Sequence, residues 1–133
     1  MMVYLLDTNI CIYFLNRSSQ KVVGKFKRVK PSQVKISSIT VAELYYGARK
    51  SKAASKNVEV VHQFIFPFDI VPFDEFACNS YAAIRYNLER RGVPIGPMDL
   101  LIGSIAHAHK FTLVTNNEKE FRRIKGLKIE NWL

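Results

Sequence analysis

Four acids stand where carboxylates can act together. They are Asp7 after the apolar run Val3 to Leu6, Glu43 after Val34 to Ser37, Asp99 after Ile95-Gly96-Pro97-Met98, and Glu120 after Phe111 to Val114. Each has a modest explanation, because acids near helix starts complement the helix dipole and cap free backbone N–H groups. Thr40-Val41-Ala42-Glu43 fits a capping box, which predicts Thr40 as cap and Glu43 as its partner. Capping does not explain why a chain with 20 Lys and Arg against 11 Asp and Glu, formal charge +9, would gather its acids on one edge. Clustered carboxylates repel unless a hard divalent cation neutralises them. Oxygen donors without paired His or Cys favour Mg²⁺ or Mn²⁺ over zinc. Such an ion within a basic surface suits hydrolysis of a phosphodiester, and the positive field draws a polyanion toward it.

The elements that must position these acids can be read from periodicity. Val3 to Leu6 is a buried strand, followed by a helix with Ile10, Tyr13 and Phe14 on one face. A basic helix over Lys21 to Lys30 stops at Pro31, and Val34 to Ser37 is a second strand before a helix resuming at Val41. Asn57 to Phe66 reads as a return helix and Phe68 to Val71 as a third strand. Asp74 caps a long helix reaching Arg91, with Phe76, Ala77, Tyr81, Ile84 and Leu88 as its apolar stripe and Gly92 as its stop. Pro97 opens a helix toward His109, Phe111 to Val114 is a fourth strand, a short helix runs through Phe121 to Ile124, and Leu127 to Ile129 adds an edge strand.

Strands alternating with helices imply an α/β fold, a parallel sheet of four to five strands with helices on both faces. Right-handed crossovers then collect strand C-termini and helix N-termini on one edge, where ligands bind, and all four acids fall there. The order of elements, more than any single residue, predicts their convergence.

Length is consistent with one domain over residues 1–133, and no repeat or linker divides it. No apolar run reaches the roughly 18 to 20 residues of a membrane span, and the start from Met1 has neither basic region nor cleavage signal, so a cytoplasmic protein is expected. Cys11 and Cys78 lack the number and spacing of a disulfide scaffold or zinc site and read as buried apolar fillers. His62, His107 and His109 lie away from strand exits, and Trp132 and most tyrosines read as packing residues. A receiver domain shares the length and element order, but it wants paired acids after its first strand, where Asp7 stands alone. A non-enzymatic RNA-binding module and a DNA-cutting nuclease are the remaining rivals.

The segments Leu5-Leu6-Asp7-Thr8-Asn9, Ser37-Ser38-Ile39-Thr40-Val41-Ala42-Glu43-Leu44, Ile95-Gly96-Pro97-Met98-Asp99-Leu100-Leu101-Ile102 and Leu113-Val114-Thr115-Asn116-Asn117 with Glu120-Phe121 resemble, in order and spacing from Val3 to Trp132, the VapC-type PIN-domain toxins of bacterial type II toxin–antitoxin systems. The resemblance implies an endoribonuclease in which Asp7, Glu43 and Asp99 bind Mg²⁺, with Mn²⁺ able to substitute. It implies Thr8, Asn9, Thr115 and Asn117 as residues that position substrate or water. Many PIN domains carry Asp where this chain has Asn117, so the fourth carboxylate is either absent or supplied by Glu120. Structured RNA such as tRNA as substrate, a VapB-type antitoxin as partner, and homodimers within a toxin–antitoxin hetero-oligomer are also implied.

Overall fold

The structure is a computed structural model that describes residues 2–133; Met1, where the reading of the chain's start began, lies outside them. Five strands, β1 (Tyr4–Leu6), β2 (Val34–Ser37), β3 (Asp69–Val71), β4 (Thr112–Val114) and β5 (Lys128–Glu130), form one sheet in the order β3-β2-β1-β4-β5. Every pairing is parallel. The chain builds outward from β1 to β3, then crosses back to lay β4 on the other side of β1. The switch point therefore lies between β1 and β4, and the crevice there is where open α/β sheets hold ligands.

Seven α-helices among the described residues make the connections, α1 (Thr8–Leu15), α2 (Gln20–Arg28), α3 (Ser38–Arg49), α4 (Ala54–Ile65), α5 (Glu75–Arg90), α6 (Pro97–His109) and α7 (Glu118–Phe121), with a 3-10 turn at Pro31–Gln33 leading into β2. The two-residue alternation of a strand divides the core. Leu6 and Val114 pack with Val34, Ile36 and the apolar faces of α1 to α4, while Leu5 and Leu113 pack on the opposite face with Leu100, Ile105 and Phe121. Burial on both faces explains why Leu5 and Leu6 of β1 and Leu113 and Val114 of β4 are consecutive apolar residues. Trp132 closes the first layer edge-on against Tyr4 and Phe26.

Several boundaries differ from the sequence reading. α3 starts at Ser38 with Ser37 as its cap, the Ser37 hydroxyl accepting from the Thr40 amide at 3.1 Å, so the capping box on Thr40 does not form. β2 runs directly into the helix, and the first available hydroxyl takes the cap. α4 begins at Ala54 where Asn57 was expected, α7 stops at Phe121 short of Ile124, and β5 lies one residue later than expected. On α5 the buried stripe is Ala77, Ile84 and Leu88 with Tyr81 half-buried; Phe76 is 71% exposed. One residue is about 100° of helix, which takes both Phe76 and Cys78 off the stripe anchored at Ala77. Cys11 is buried as expected and Cys78 is exposed.

α7 sits close to α6 because Gly103 leaves room for it. A Cβ at Gly103 would stand 2.9 Å from Ile124 Cδ1 and 3.3 Å from Phe121 Cε1. Gly103→Val should therefore cost about 1–3 kcal/mol through overpacking. A lowered urea midpoint would show it, and an unchanged midpoint would mean that α7 is free to shift.

Candidate active site

Asp7 ends β1 and caps α1: its Oδ1 accepts from the Thr8 amide at 2.8 Å, and its own amide donates to Val114 O at 2.9 Å across the switch point. Its Oδ2 accepts from the Thr115 hydroxyl at 2.7 Å. Both carboxylate oxygens of this 4% exposed residue are thus held by neutral donors. Glu43, displaced from the expected cap into the second turn of α3, reaches back to β1 instead. Its Oε1 accepts from the Thr8 hydroxyl at 2.6 Å, and that hydroxyl also stands 3.1 Å from Thr40 Oγ1.

Asp99 lies in the first turn of α6, where Gly96 is the cap and provides no side-chain hydrogen bond. Asn117 joins it to Glu120, its Nδ2 donating to Asp99 Oδ2 at 3.1 Å and to Glu120 Oε2 at 3.2 Å. Asn117 is in turn oriented by Thr115, whose hydroxyl oxygen accepts from the Asn117 amide at 2.9 Å. At the fourth position, where the sequence reading left two possibilities, an amide stands at 117 and ties a carboxylate from 120 into the cluster.

The charges sense one another. Asp7 is raised above the usual carboxylate range, mainly by burial, with the Thr115 and Thr8 hydrogen bonds opposing and the Glu43 charge adding to the rise. Asp99 is pushed up to about 7 by burial first, then by the charge of Asp7 and by its hydrogen bond with Glu120 and that residue's charge; Asn117 opposes. Five of the chain's eleven acids pair with cationic side chains: Asp69, Asp74, Glu89, Glu118 and Glu130. Of the other six, four are Asp7, Glu43, Asp99 and Glu120, so no Lys, Arg or His among the described residues neutralises this edge.

As the side chains stand, no three His, Cys, Asp or Glu among the described residues are gathered closely enough to hold a metal ion. The donor set nevertheless fits a hard divalent cation in kind. It is all oxygen, it is uncompensated, and Glu43 Oε2, Asp99 Oδ1 and Glu120 Oε1 accept no hydrogen bond from a described protein donor.

Of the remaining residues singled out in the sequence, Thr8, Thr115 and Asn117 join the cluster, whereas Asn9 is exposed and forms no hydrogen bond with the acids. The histidines lie elsewhere. His109 Nε2 is 2.9 Å from Asp74 Oδ2 and His107 Nδ1 is 3.2 Å from Ser80 Oγ, both at the far end of α6 from Asp99, and His62 Nδ1 is 3.5 Å from the Tyr45 hydroxyl. Thr40, expected only as a cap, is fully buried beside Thr8 and belongs to the network holding Glu43. The cluster of hydroxyls Ser37, Ser38 and Thr40 at a strand–helix junction was the available signal.

Residues 4–127 match the family described as PIN domain. Over 132 residues the chain is 42% identical to ribonuclease VapC2 of Rickettsia felis, covering 98% of each chain, and 39% identical to the tRNA(fMet)-specific endonuclease VapC of Salmonella typhimurium, covering 99% of each. It superimposes on the crystal structure of DNA-bound VapBC from Salmonella typhimurium with a TM-score of 0.93 at 39% identity, over 100% of both chains. The parallel sheet in this order is thus a PIN-domain fold. The chain belongs to the PIN-domain family and, within it, to the VapC group.

A carboxyl held near 7 when folded and near 3.8 when unfolded binds its proton more tightly in the folded state. Folding stability therefore falls as pH rises through the window from about 4 to 7. Without divalent cations, Asp99→Asn should raise the melting temperature at pH 8, with the gain shrinking toward pH 4. Thermal unfolding across that range tests it; a gain independent of pH would remove repulsion at Asp99 as its cause.

Proposed function

We propose that the chain is the toxin of a toxin–antitoxin pair: an Mg²⁺-dependent endoribonuclease, able to use Mn²⁺, that hydrolyses phosphodiester bonds of structured RNA such as tRNA and is silenced by a VapB-type antitoxin. The observation that carries this reading is the cluster of four acids without cationic partners at the switch point of a protein of charge +9. Full-length likeness to proteins named ribonuclease VapC2 and tRNA(fMet)-specific endonuclease VapC supports the substrate class. Single-stranded loops on folded RNA are its natural targets.

In this reading Asp7 and Asp99 are the principal metal ligands, Glu43 is a third ligand or orients the attacking water, and Glu120 supports Asp99 through Asn117. When bound, the ion supplies Lewis acidity at the phosphoryl oxygen, a water of lowered pKa and stabilisation of the leaving oxygen. The chain's own donors fix the carboxylates for that work. Thr115 and the Thr8 amide hold Asp7 from both sides, Thr8 and Thr40 hold Glu43, and Asn117 spaces Asp99 from Glu120. Asn117, half-buried between Asp99 and Glu120, would orient water or phosphate, with Thr115 fixing its backbone.

No helix of the described residues is long and apolar enough to cross a membrane, which is in keeping with action on RNA in the cytoplasm. The VapBC complex to which the chain is similar supports an antitoxin partner. An apolar groove of about 460 Å³, lined by Ile12, Leu15, Leu44 and Val60 and ending at Glu43, offers that partner a seat beside the acids. A second copy completes the assembly as a homodimer.

The test incubates purified chain with total RNA and with DNA, in Mg²⁺ and in EDTA. Discrete RNA fragments are expected with metal alone. Asp7→Asn should lose more than about 100-fold in rate, and Thr115→Val, which removes a donor behind the ligand, about 10–100-fold. Undiminished cleavage by Asp7→Asn, or cleavage in EDTA, would overturn the site. Val60→Asp should release the antitoxin in a pull-down while leaving the free toxin's cleavage intact; retained capture would place the partner elsewhere.

A further inference from the structure

Between Asp7 and Glu43 the sequence contains no acid at all, while α2 alone carries Lys21, Lys25, Lys27 and Arg28. Most of this charge is unspent: Lys25 approaches Glu130 at 4.0 Å, and Lys21, Lys27 and Arg28 form no ion pair among the described residues. The apolar face of α2, Val22 and Val23 with Phe26, is sunk in the core, so its basic face is turned outward as a unit.

That face does not meet a flat surface. With the segment Asn131 to Leu133 it encloses an open groove of about 380 Å³, whose walls include Lys21, Lys25 and Arg28 on one side and Asn131 and Trp132 on the other. Gly24 also lines it. A glycine in a helix interior costs about 1 kcal/mol against alanine. Here neither packing nor backbone calls for it, since a Cβ at Gly24 would meet nothing within 4 Å and no positive φ is required. What the missing side chain does is keep the groove open between the cations.

The groove is tied to the catalytic edge. Asn131 Nδ2 donates to Glu118 Oε2 at 3.0 Å, one residue from Asn117, and Trp132 Nε1 donates to Glu130 Oε1 at 2.9 Å. The Glu130 carbonyl in turn accepts from the Thr115 amide at 3.0 Å, and Thr115 holds Asp7. Asp7 and Glu130 end strands two places apart, roughly 10 Å at ordinary strand spacing.

We infer that the α2 groove is the track for the RNA backbone flanking the scissile bond, with Lys21, Lys25 and Arg28 as its phosphate contacts and Gly24 as its floor. The inference rests on the ribonuclease reading and specifies which surface holds the strand. Phosphate contacts of this kind position a substrate without reading its sequence. The groove therefore contributes affinity and register, and the choice of RNA lies elsewhere.

The test uses the full chain carrying Asp7→Asn, so that RNA is bound without being cut, and measures affinity for tRNA across a salt series. Lys21→Ala/Lys25→Ala/Arg28→Ala should weaken binding about 10- to 1,000-fold at low salt and reduce the salt slope by about two to three, near 0.7 to 0.9 for each phosphate no longer neutralised. Lys50→Ala/Lys52→Ala/Lys56→Ala, beyond the far end of α3, removes equal charge and should do much less. Gly24→Leu keeps every cation and favours the helix, so it should lower affinity without lowering the melting temperature. With Asp7 restored, the α2 triple variant should raise KM and leave kcat near its original value. Equal losses from the two triple variants, or unchanged binding by Gly24→Leu, would overturn the groove. So would loss of antitoxin binding with RNA binding intact, which would assign the groove to an acidic protein partner. Absence of RNA binding by the Asp7→Asn chain, together with absence of cleavage by the unmodified one, would instead remove the ribonuclease reading itself.

Discussion

Mutual repulsion among Asp7, Glu43, Asp99 and Glu120 is the constraint around which this fold is arranged. Any Lys or Arg brought into the cluster would relieve it, and the chain has 20 of them, yet none forms an ion pair there. The carboxylates are instead restrained by hydroxyls and amides, groups that fix an oxygen in place without cancelling its charge. The cost is visible in Asp99, driven up to about 7 by burial and by its acidic neighbours. Clustered negative charge of this kind is a standing penalty in the absence of a cation, and perturbed carboxylates of this sort are concentrated at functional sites.

The sheet makes the arrangement possible. Parallel strands put the four acids on one edge from four separate stretches of chain, and the reversal of direction at β1 opens a crevice between β1 and β4 in which Asp7 and Thr115 meet. Thr115 does two jobs there: its hydroxyl proton goes to Asp7 Oδ2, and its oxygen accepts from the Asn117 amide, which orders the loop that presents Asn117 to Asp99 and Glu120. A single buried hydroxyl thereby links the acid of β1 to those of α6 and α7. Gly103 contributes at longer range by letting α7, and with it Glu120, lie against α6.

Much of this was legible in the residues. The apolar runs at Val3 to Leu6 and Phe111 to Val114, each followed by polar residues, gave away the two central strands, and alternation with helices implied their parallel pairing and the convergence of the acids. What failed did so for local reasons. Thr40 looked like a cap because Glu43 lies three positions after it, but Ser37 offers the same hydroxyl at the end of β2, and helix capping goes to whichever residue first leaves the strand. Phe76 and Cys78 were assigned to a buried face by residue type, while helical phase sends them to solvent. The sequence marked Asn117 as a positioning residue but not its bridge between Asp99 and Glu120, since acids distant from each other along the chain meet only through a tertiary contact.

The separation of charge by sign follows from the same constraint. If cations were spread evenly, some would reach the acids and quench them; excluding acids from residues 8–42 and turning the basic face of α2 away from the core keeps the two signs apart. Lys25 and Glu130 mark the frontier, a pair at 4.0 Å in which neither partner is buried and little stability is at stake. On the acidic side of that frontier, charge is held rigidly by short hydrogen bonds, as geometry at a reacting phosphate demands. On the basic side it sits on long side chains around a glycine floor, with Lys25 alone among them approaching an acid, as befits contacts that need only follow a flexible backbone. The same strand of RNA would thus meet loose electrostatic capture first and fixed geometry second, and the sheet order β1-β4-β5 sets the distance between the two.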